Sequence, residues 1–512
     1  VTLVPPTARR PQEAGEARRA PGSDQASLRL LGEQAFSRAA GAPLVGGNRI
    51  ALLRDATENY PAWLEAIRGA RRSIALEAYI FGEDRVGDLF AEALSAAARR
   101  GVRVRVVQDW LGAWGEASRA FWRRLERAGV EVRWFNPFRI GAPLAVLRRN
   151  HRKSLLVDGR VGFVTGLCIA ERWAGDPGRG IPAWRDTGVV LEGPAIADLA
   201  RAFARVWREA GGSMATDELP REEDLRAAGD SAVRIIATEP ATSGIYRLDQ
   251  LIAATARSRL WLTDAYFVGV PSYVEALRAA ALDGVDVRFL VPGASDLGLV
   301  KRLGTAGYRP LLEAGIRVFE WNGPMLHAKT AVADGRWARV GSTNLNLASW
   351  MGNWELDVAV EDAAFAREME RAFEADLQNA TEIVLGAVRR RTESGPERLT
   401  GHHRRREGSA VAAAGAVRLG NVVGAALGGY RLLGPAEATL LLGAGAVLVA
   451  IAALALLVPW LVLAPVVVVL AWLGLVLIVD SVKARRAHGA KPEPRGDPGE
   501  GVTNPRPPTS NG

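Results

Sequence analysis

His151 and Lys153 stand in the pattern His-x-Lys-x-x-x-x-Asp, closed by Asp158, and His327, Lys329 and Asp334 repeat it later in the chain. The chain holds only five histidines, so two of them occupy matched positions of a duplicated motif. Both copies continue alike: a short apolar run, an Asp-Gly turn (Asp158-Gly159, Asp334-Gly335), a second apolar run, then a small-residue corner at Gly166 and Gly341. One such match would be weak evidence; two in register are strong. A doubled His/Lys pair suits phosphoryl transfer. One imidazole attacks phosphorus, the other protonates the leaving oxygen, and two ammonium groups hold the charge.

The elements that must position these residues also recur. Residues 73–80 read as a strand, 86–100 as an amphipathic helix and 102–107 as the next strand. Residues 260–266, 273–282 and 285–290 repeat that order, which aligns Glu77 with Asp264 and Tyr79 with Tyr266. The alternation predicts α/β layers on a largely parallel sheet, and the shared order predicts an internal duplication. On a strand, positions i and i+2 share a face, so His151 projects with Lys153 and His327 with Lys329. If the halves pair about a pseudo-twofold axis, both pairs meet in one cleft. The first half carries extra residues between Gly129 and His151, including Pro137, Phe138, Gly141, Pro143, Arg148 and Arg149. They form either a loop over the site or a plain surface insertion.

At 512 residues the chain predicts about three structural units. Residues 1–26 read as a disordered segment, 27–215 and 232–385 as the two repeats, and 386–435 as a basic linker with an amphipathic helix. No charged residue lies between Glu437 and Asp480. The segment 436–480 around this run is long enough for two membrane helices, with Pro459 and Pro465 at the turn. Arg431 on one flank and Lys483, Arg485 and Arg486 on the other predict a transmembrane helical hairpin with both ends, and the catalytic part, on the cytoplasmic side of a cell membrane. Residues 481–512 read as a disordered tail. A net charge of +9 suits anionic partners, either nucleic acid or an anionic membrane. The lone Cys168 excludes an intrachain disulfide framework. No basic-then-apolar leader precedes the first repeat, which argues against Sec-type secretion.

Residues 27–385 resemble the phospholipase D superfamily with two HKD motifs, and within it the bacterial cardiolipin synthase-like branch. The resemblance also rests on Gly47-Asn48-Arg49, the strand ending at Tyr79, Trp184-Arg185-Asp186, Gly341-Ser342-Thr343-Asn344 and Asn353-x-Glu355. It implies two α/β/α sandwich repeats with the active site between them, a bacterial inner-membrane location, and no metal or cofactor. It implies covalent catalysis through a phosphohistidine, with His151 as nucleophile and His327 as general acid/base. Lys153 and Lys329 neutralise the phosphoryl oxygens; Ser342, Asn344 and the Gly166 corner contact substrate. Each histidine needs a carboxylate behind its second nitrogen, and the resemblance implies Asp186 for His151 and Glu355 for His327. Asp158 and Asp334 complete the motifs and are read as holding the turns beside the site.

The first half departs from the family pattern. Cys168 stands where Asn is usual, and Gly188 stands where histidine is common. Cys168 is either a small buried residue or a nucleophile. The implied activity is phosphatidyl transfer between phospholipids such as phosphatidylglycerol. Hydrolysis to phosphatidic acid uses the same residues. A nuclease and a non-enzymatic scaffold are further readings; the membrane segment and lipid-branch elements argue against nucleic acid as substrate.

Overall fold

The computed structural model describes residues 32–139, 148–240 and 242–384, with isolated helical residues at 446, 467, 471, 472 and 475. The chain divides between Glu437 and Ala438, and the first unit contains both motifs. The expected N-terminal segment 1–26, linker 386–435, hairpin 436–480 and tail 481–512 lie outside the described residues, those isolated positions excepted. So do residues 140–147 of the longer connection before His151. Among the described residues no helix is long and apolar enough to cross a membrane.

The first half contributes β1 (Val45–Arg54), β2 (Ser73–Ala78), β3 (Arg103–Asp109), β4 (Glu131–Phe135), β5 (Ser154–Val157), β6 (Val161–Thr165) and β7 (Thr187–Glu192). The second contributes β8 (Ser231–Thr238), β9 (Arg259–Thr263), β10 (Asp286–Pro292), β11 (Arg317–Trp321), β12 (Thr330–Ala333), β13 (Trp337–Gly341), β14 (Glu355–Glu361) and β15 (Ala380–Ile383). All join one sheet, ordered β15-β11-β10-β9-β12-β13-β14-β8-β1-β7-β6-β5-β2-β3-β4. Reading outward from the β8–β1 junction, each strand but the terminal β15 meets its counterpart at the same distance. The duplication seen in the residues is therefore a two-fold relation in strand order.

The expectation of a largely parallel sheet is corrected. Only β2-β3-β4 and β9-β10-β11 run parallel; the remaining neighbours are antiparallel. Parallel neighbours need a long crossover, and helices such as Arg85–Arg99 supply it. That helix is capped by Asp84, whose carboxylate accepts Gly87 N–H, and buries Val86, Phe90, Leu94 and Ala97 at helical spacing. The motif strands instead turn straight back through Asp-Gly, which only antiparallel pairing permits.

At those turns Asp158 and Asp334 each adopt a left-handed φ of 53°, which Asp tolerates better than most residues. Asp158 accepts N–H groups of Arg71, Arg72 and Ser73 at 2.7–3.2 Å. Asp334 accepts those of Arg257, Ser258 and Arg259 at 2.8–3.0 Å. These amides hold both carboxyls below the ordinary value of 3.8, although burial alone would raise them. Each carboxylate pins a motif hairpin to the start of the neighbouring strand. Leu156, Val164, Val189 and Leu191 of one half and Leu326, Val340, Leu356 and Val358 of the other then share one core.

Candidate active site

His151 and His327 lie just before β5 and β12, not on them. Their backbones are held by the opposite half. His151 N–H donates to the Trp354 carbonyl at 2.9 Å, and Trp354 N–H to that of Arg149 at 2.8 Å. Correspondingly, His327 N–H donates to the Arg185 carbonyl at 2.7 Å, and Arg185 N–H to that of Met325 at 2.9 Å. The next residue after each crossing partner is a carboxylate.

That register corrects the implied pairing. His151 Nδ1 lies 2.9 Å and 3.1 Å from the two Glu355 carboxylate oxygens. His327 Nδ1 lies 2.7 Å from Asp186 Oδ2. Each imidazole is thus oriented by a carboxylate from the other half, and neither half holds a complete site. Pairing within a half is nearer in sequence, but the crossed backbone bridges put Glu355 and Asp186 across the seam.

The two carboxylates are held differently. Glu355 accepts the Ser342 hydroxyl at 2.6 Å and Asn353 Nδ2 at 3.1 Å. Asp186 accepts Trp173 Nε1 at 3.1 Å and Thr187 N–H at 2.8 Å. Burial opposes ionisation of both, yet facing imidazoles, lysines and hydrogen-bond donors outweigh it and hold both below the usual range. Ionised carboxylates accept, so Nδ1 carries the hydrogen and Nε2 keeps its lone pair.

Burial, with the nearby lysines, lowers the pKa of both imidazoles; that of His327 falls to about 3. Both are neutral at pH 7. Lys329 acts on His151 and Lys153 on His327, as expected of one shared cleft. Lys153 Nζ donates to the His151 carbonyl at 2.6 Å, and Lys329 Nζ to that of His327. Lys329 Nζ also lies 3.0 Å from His327 Nδ1. Burial lowers both lysines, Lys329 to about 8.

Several residues lie elsewhere than the residue pattern implied. Ser342 is spent on Glu355, so its role as a substrate donor is corrected to that of an orienting group. Gly166 makes room: a Cβ there would sit 2.2 Å from Asp186 Oδ1. Asn344 is buried, with Oδ1 unpartnered. Cys168 is buried, and burial raises its thiol pKa; this suits the small-residue reading. At Gly188 a Cβ would lie 2.2 Å from Asn59 Oδ1, so the histidine common there has no room.

The residue patterns also missed some of the surroundings. The Tyr79 ring packs 4.9 Å from His151 and under Lys153 Nζ, 5.1 Å away. Tyr266 does the same for His327 and Lys329, at 5.7 Å each. Their alignment across the repeats was the available signal. Trp173 and Trp184 pack 5.3 Å and 5.8 Å from His327. No spacing rule singles out Trp173.

Comparison with known proteins fits this geometry. The family model described as "Cardiolipin synthase, PLD-like domain" matches residues 63–207 and 248–377. The chain is 30% identical over 364 residues to cardiolipin synthase 1 of Bacillus anthracis, covering 69% of this chain and 71% of that protein. It is 33% identical over 364 residues to cardiolipin synthase A of Pseudomonas aeruginosa, covering 69% and 72%. In fold it is similar to phosphatidylserine synthase of Haemophilus influenzae, with a TM-score of 0.55 at 14% identity over 68% of this chain and 91% of that one. With two crossed His–carboxylate pairs, two lysines and matches spanning both halves, the chain belongs to the phospholipase D-like cardiolipin synthase family of enzymes.

Proposed function

We propose that this protein is a membrane-anchored phosphatidyltransferase that moves a phosphatidyl group between phospholipids through a phosphohistidine. The crossed His–carboxylate pairs, each with its lysine, carry the reading. His151 is the more open imidazole, with 12% of its side chain exposed against 6% for His327. Its Nε2 attacks the phosphodiester phosphorus, the P–O bond to the leaving alcohol breaks, and His327 delivers the proton. Bound phosphate between Lys153 and Lys329 offsets the positive charge that keeps His327 neutral in the free enzyme, so its imidazole takes up the proton it must donate. In the second step His327 deprotonates the acceptor hydroxyl, oxygen attacks phosphorus, and the P–N bond breaks. The lysines and the Asn344 amide serve the non-bridging oxygens.

Phosphatidylglycerol is the proposed donor and acceptor, giving cardiolipin and glycerol. The uncharged run between Glu437 and Asp480, with its basic flanks, supports an inner-membrane anchor with the site facing the cytoplasm. The test is purified protein with phosphatidylglycerol labelled in its headgroup and acyl chains. Cardiolipin with free glycerol supports transfer; phosphatidic acid alone means hydrolysis; cleavage of DNA with lipid untouched overturns the lipid reading. Retention in alkali-washed membranes, lost on deleting residues 436–480, tests the anchor.

A further inference from the structure

The first half holds a cavity of about 720 Å³ lined by Trp110, Trp114, Trp122 and Trp134, with Arg119 and Arg123. Such a volume is in the range of small-molecule pockets, about 300–1,000 Å³. The tryptophans pack as two pairs: ring centroids are 5.1 Å apart for Trp110–Trp114 and for Trp122–Trp134. Trp114 is 62% exposed, and Phe138, 53% exposed, stacks on Trp110 at 6.4 Å. Large exposed aromatics in one place are unusual unless something covers them. Trp122 is buried, and its indole N–H has no hydrogen-bond partner.

Two contacts tie the segment that lines the cavity to the surroundings of His151. Trp110 follows Asp109, whose carboxylate accepts the N–H of Asn150, next to His151, at 2.9 Å. Gly112 lies so close to the Tyr79 backbone that a Cβ would be 1.9 Å from its carbonyl oxygen, and the Tyr79 ring packs on His151. Trp110 and Trp134 are not repeated at the matching positions of the other half. Matching β3 to β10 and β4 to β11 residue for residue sets Gly293 opposite Trp110 and Glu320 opposite Trp134.

We infer that this tryptophan-lined cavity holds one acyl chain of the phosphatidyl group, seating the donor lipid on the first half with its phosphorus toward His151. The aromatic walls suit hydrocarbon. The inference rests on the phosphatidyl-transfer reading for its substrate class.

Two experiments on the full chain in detergent micelles test it. Phosphatidylglycerol carrying a diazirine near the end of one acyl chain is photolysed on the enzyme, and labelled peptides are mapped. Label within residues 110–134 is expected; label elsewhere with this stretch untouched overturns the inference. This readout needs no turnover, so labelling without cardiolipin formation sinks phosphatidyl transfer and leaves the acyl site standing. In the second, Trp110→Ala/Trp114→Ala should raise KM for dipalmitoyl phosphatidylglycerol about tenfold and leave KM for the dihexanoyl lipid within about twofold. Equal rises for both lipids overturn the inference. Sedimentation with phosphatidylglycerol vesicles should be the same for wild type and the double variant. Loss of vesicle binding in step with activity would make the patch a bilayer-docking surface instead.

Discussion

The two halves carry the same His/Lys apparatus but support it differently. Glu355, behind His151, is gripped by Ser342 and Asn353 of its own half. Asp186, behind His327, is gripped by the indole of Trp173, with Trp184 also packed on that imidazole. The tryptophan-lined cavity belongs to the half that carries His151, while His327 is closed in by aromatic rings. A duplicated scaffold thus supplies two chemically equal groups, and divergence around them creates unequal roles. On the proposed mechanism the more open imidazole attacks phosphorus and the enclosed one handles the proton.

The histidines give the largest test of this inequality. We expect His151→Ala to lose turnover by at least about 10⁴-fold and to form no phosphoenzyme. His327→Ala should lose a similar amount yet accumulate phosphoenzyme from a phosphodiester with a 4-nitrophenolate leaving group, read by acid-quenched radiolabel. Phosphoenzyme in His151→Ala alone would reverse the roles.

The crossed pairing predicts which carboxylate belongs to which defect. Glu355→Gln should slow phosphoenzyme formation, and Asp186→Asn its breakdown, each by about 10²–10⁴-fold. The opposite assignment of rates would restore pairing within each half. Smaller losses are expected from the groups behind the carboxylates: Ser342→Ala should lower kcat about tenfold through Glu355, and Trp173→Phe by a similar factor through Asp186.

Lys329 gives a pH signature. Its ammonium loses its proton near pH 8 in the free enzyme, so kcat/KM should fall above about pH 8. The acid limb should lie below the ordinary imidazole value of 6.5, because both imidazoles are lowered. Lys329→Arg should remove the alkaline limb whatever its residual rate.

The smallest effect on rate is expected at the motif aspartates. Asp158→Ala and Asp334→Ala should cost about 1–3 kcal/mol of stability, seen in denaturant melts, with kcat within about threefold. Because both carboxyls are lowered on folding, their contribution is present above pH 3.8 and lost as pH falls through the folded value. Each variant should therefore flatten the acid limb of stability.

Much of this was legible from residue types. The repeat, the His/Lys pairs, the Asp-Gly hairpins and the turn role of Asp158 and Asp334 are local patterns, and local geometry decides them. Sheet direction was misread because alternation marks crossovers well but the short antiparallel returns around each motif poorly. Ser342 was misassigned because a hydroxyl near a phosphate site can face either the ligand or a carboxylate, and only packing chooses. Trp173 and the cavity at Trp110 carry no spacing that separates them from ordinary core aromatics.

The order of residues alone determined that two imidazoles and two ammonium groups recur in matched surroundings, because a duplicated chain repeats its local chemistry. Only the tertiary structure decided that Glu355 serves His151 and Asp186 serves His327. Those contacts cross the seam between halves, where the Asn150–Trp354 and Arg185–Leu326 bridges set the register, and no interaction between sequence neighbours encodes that crossing.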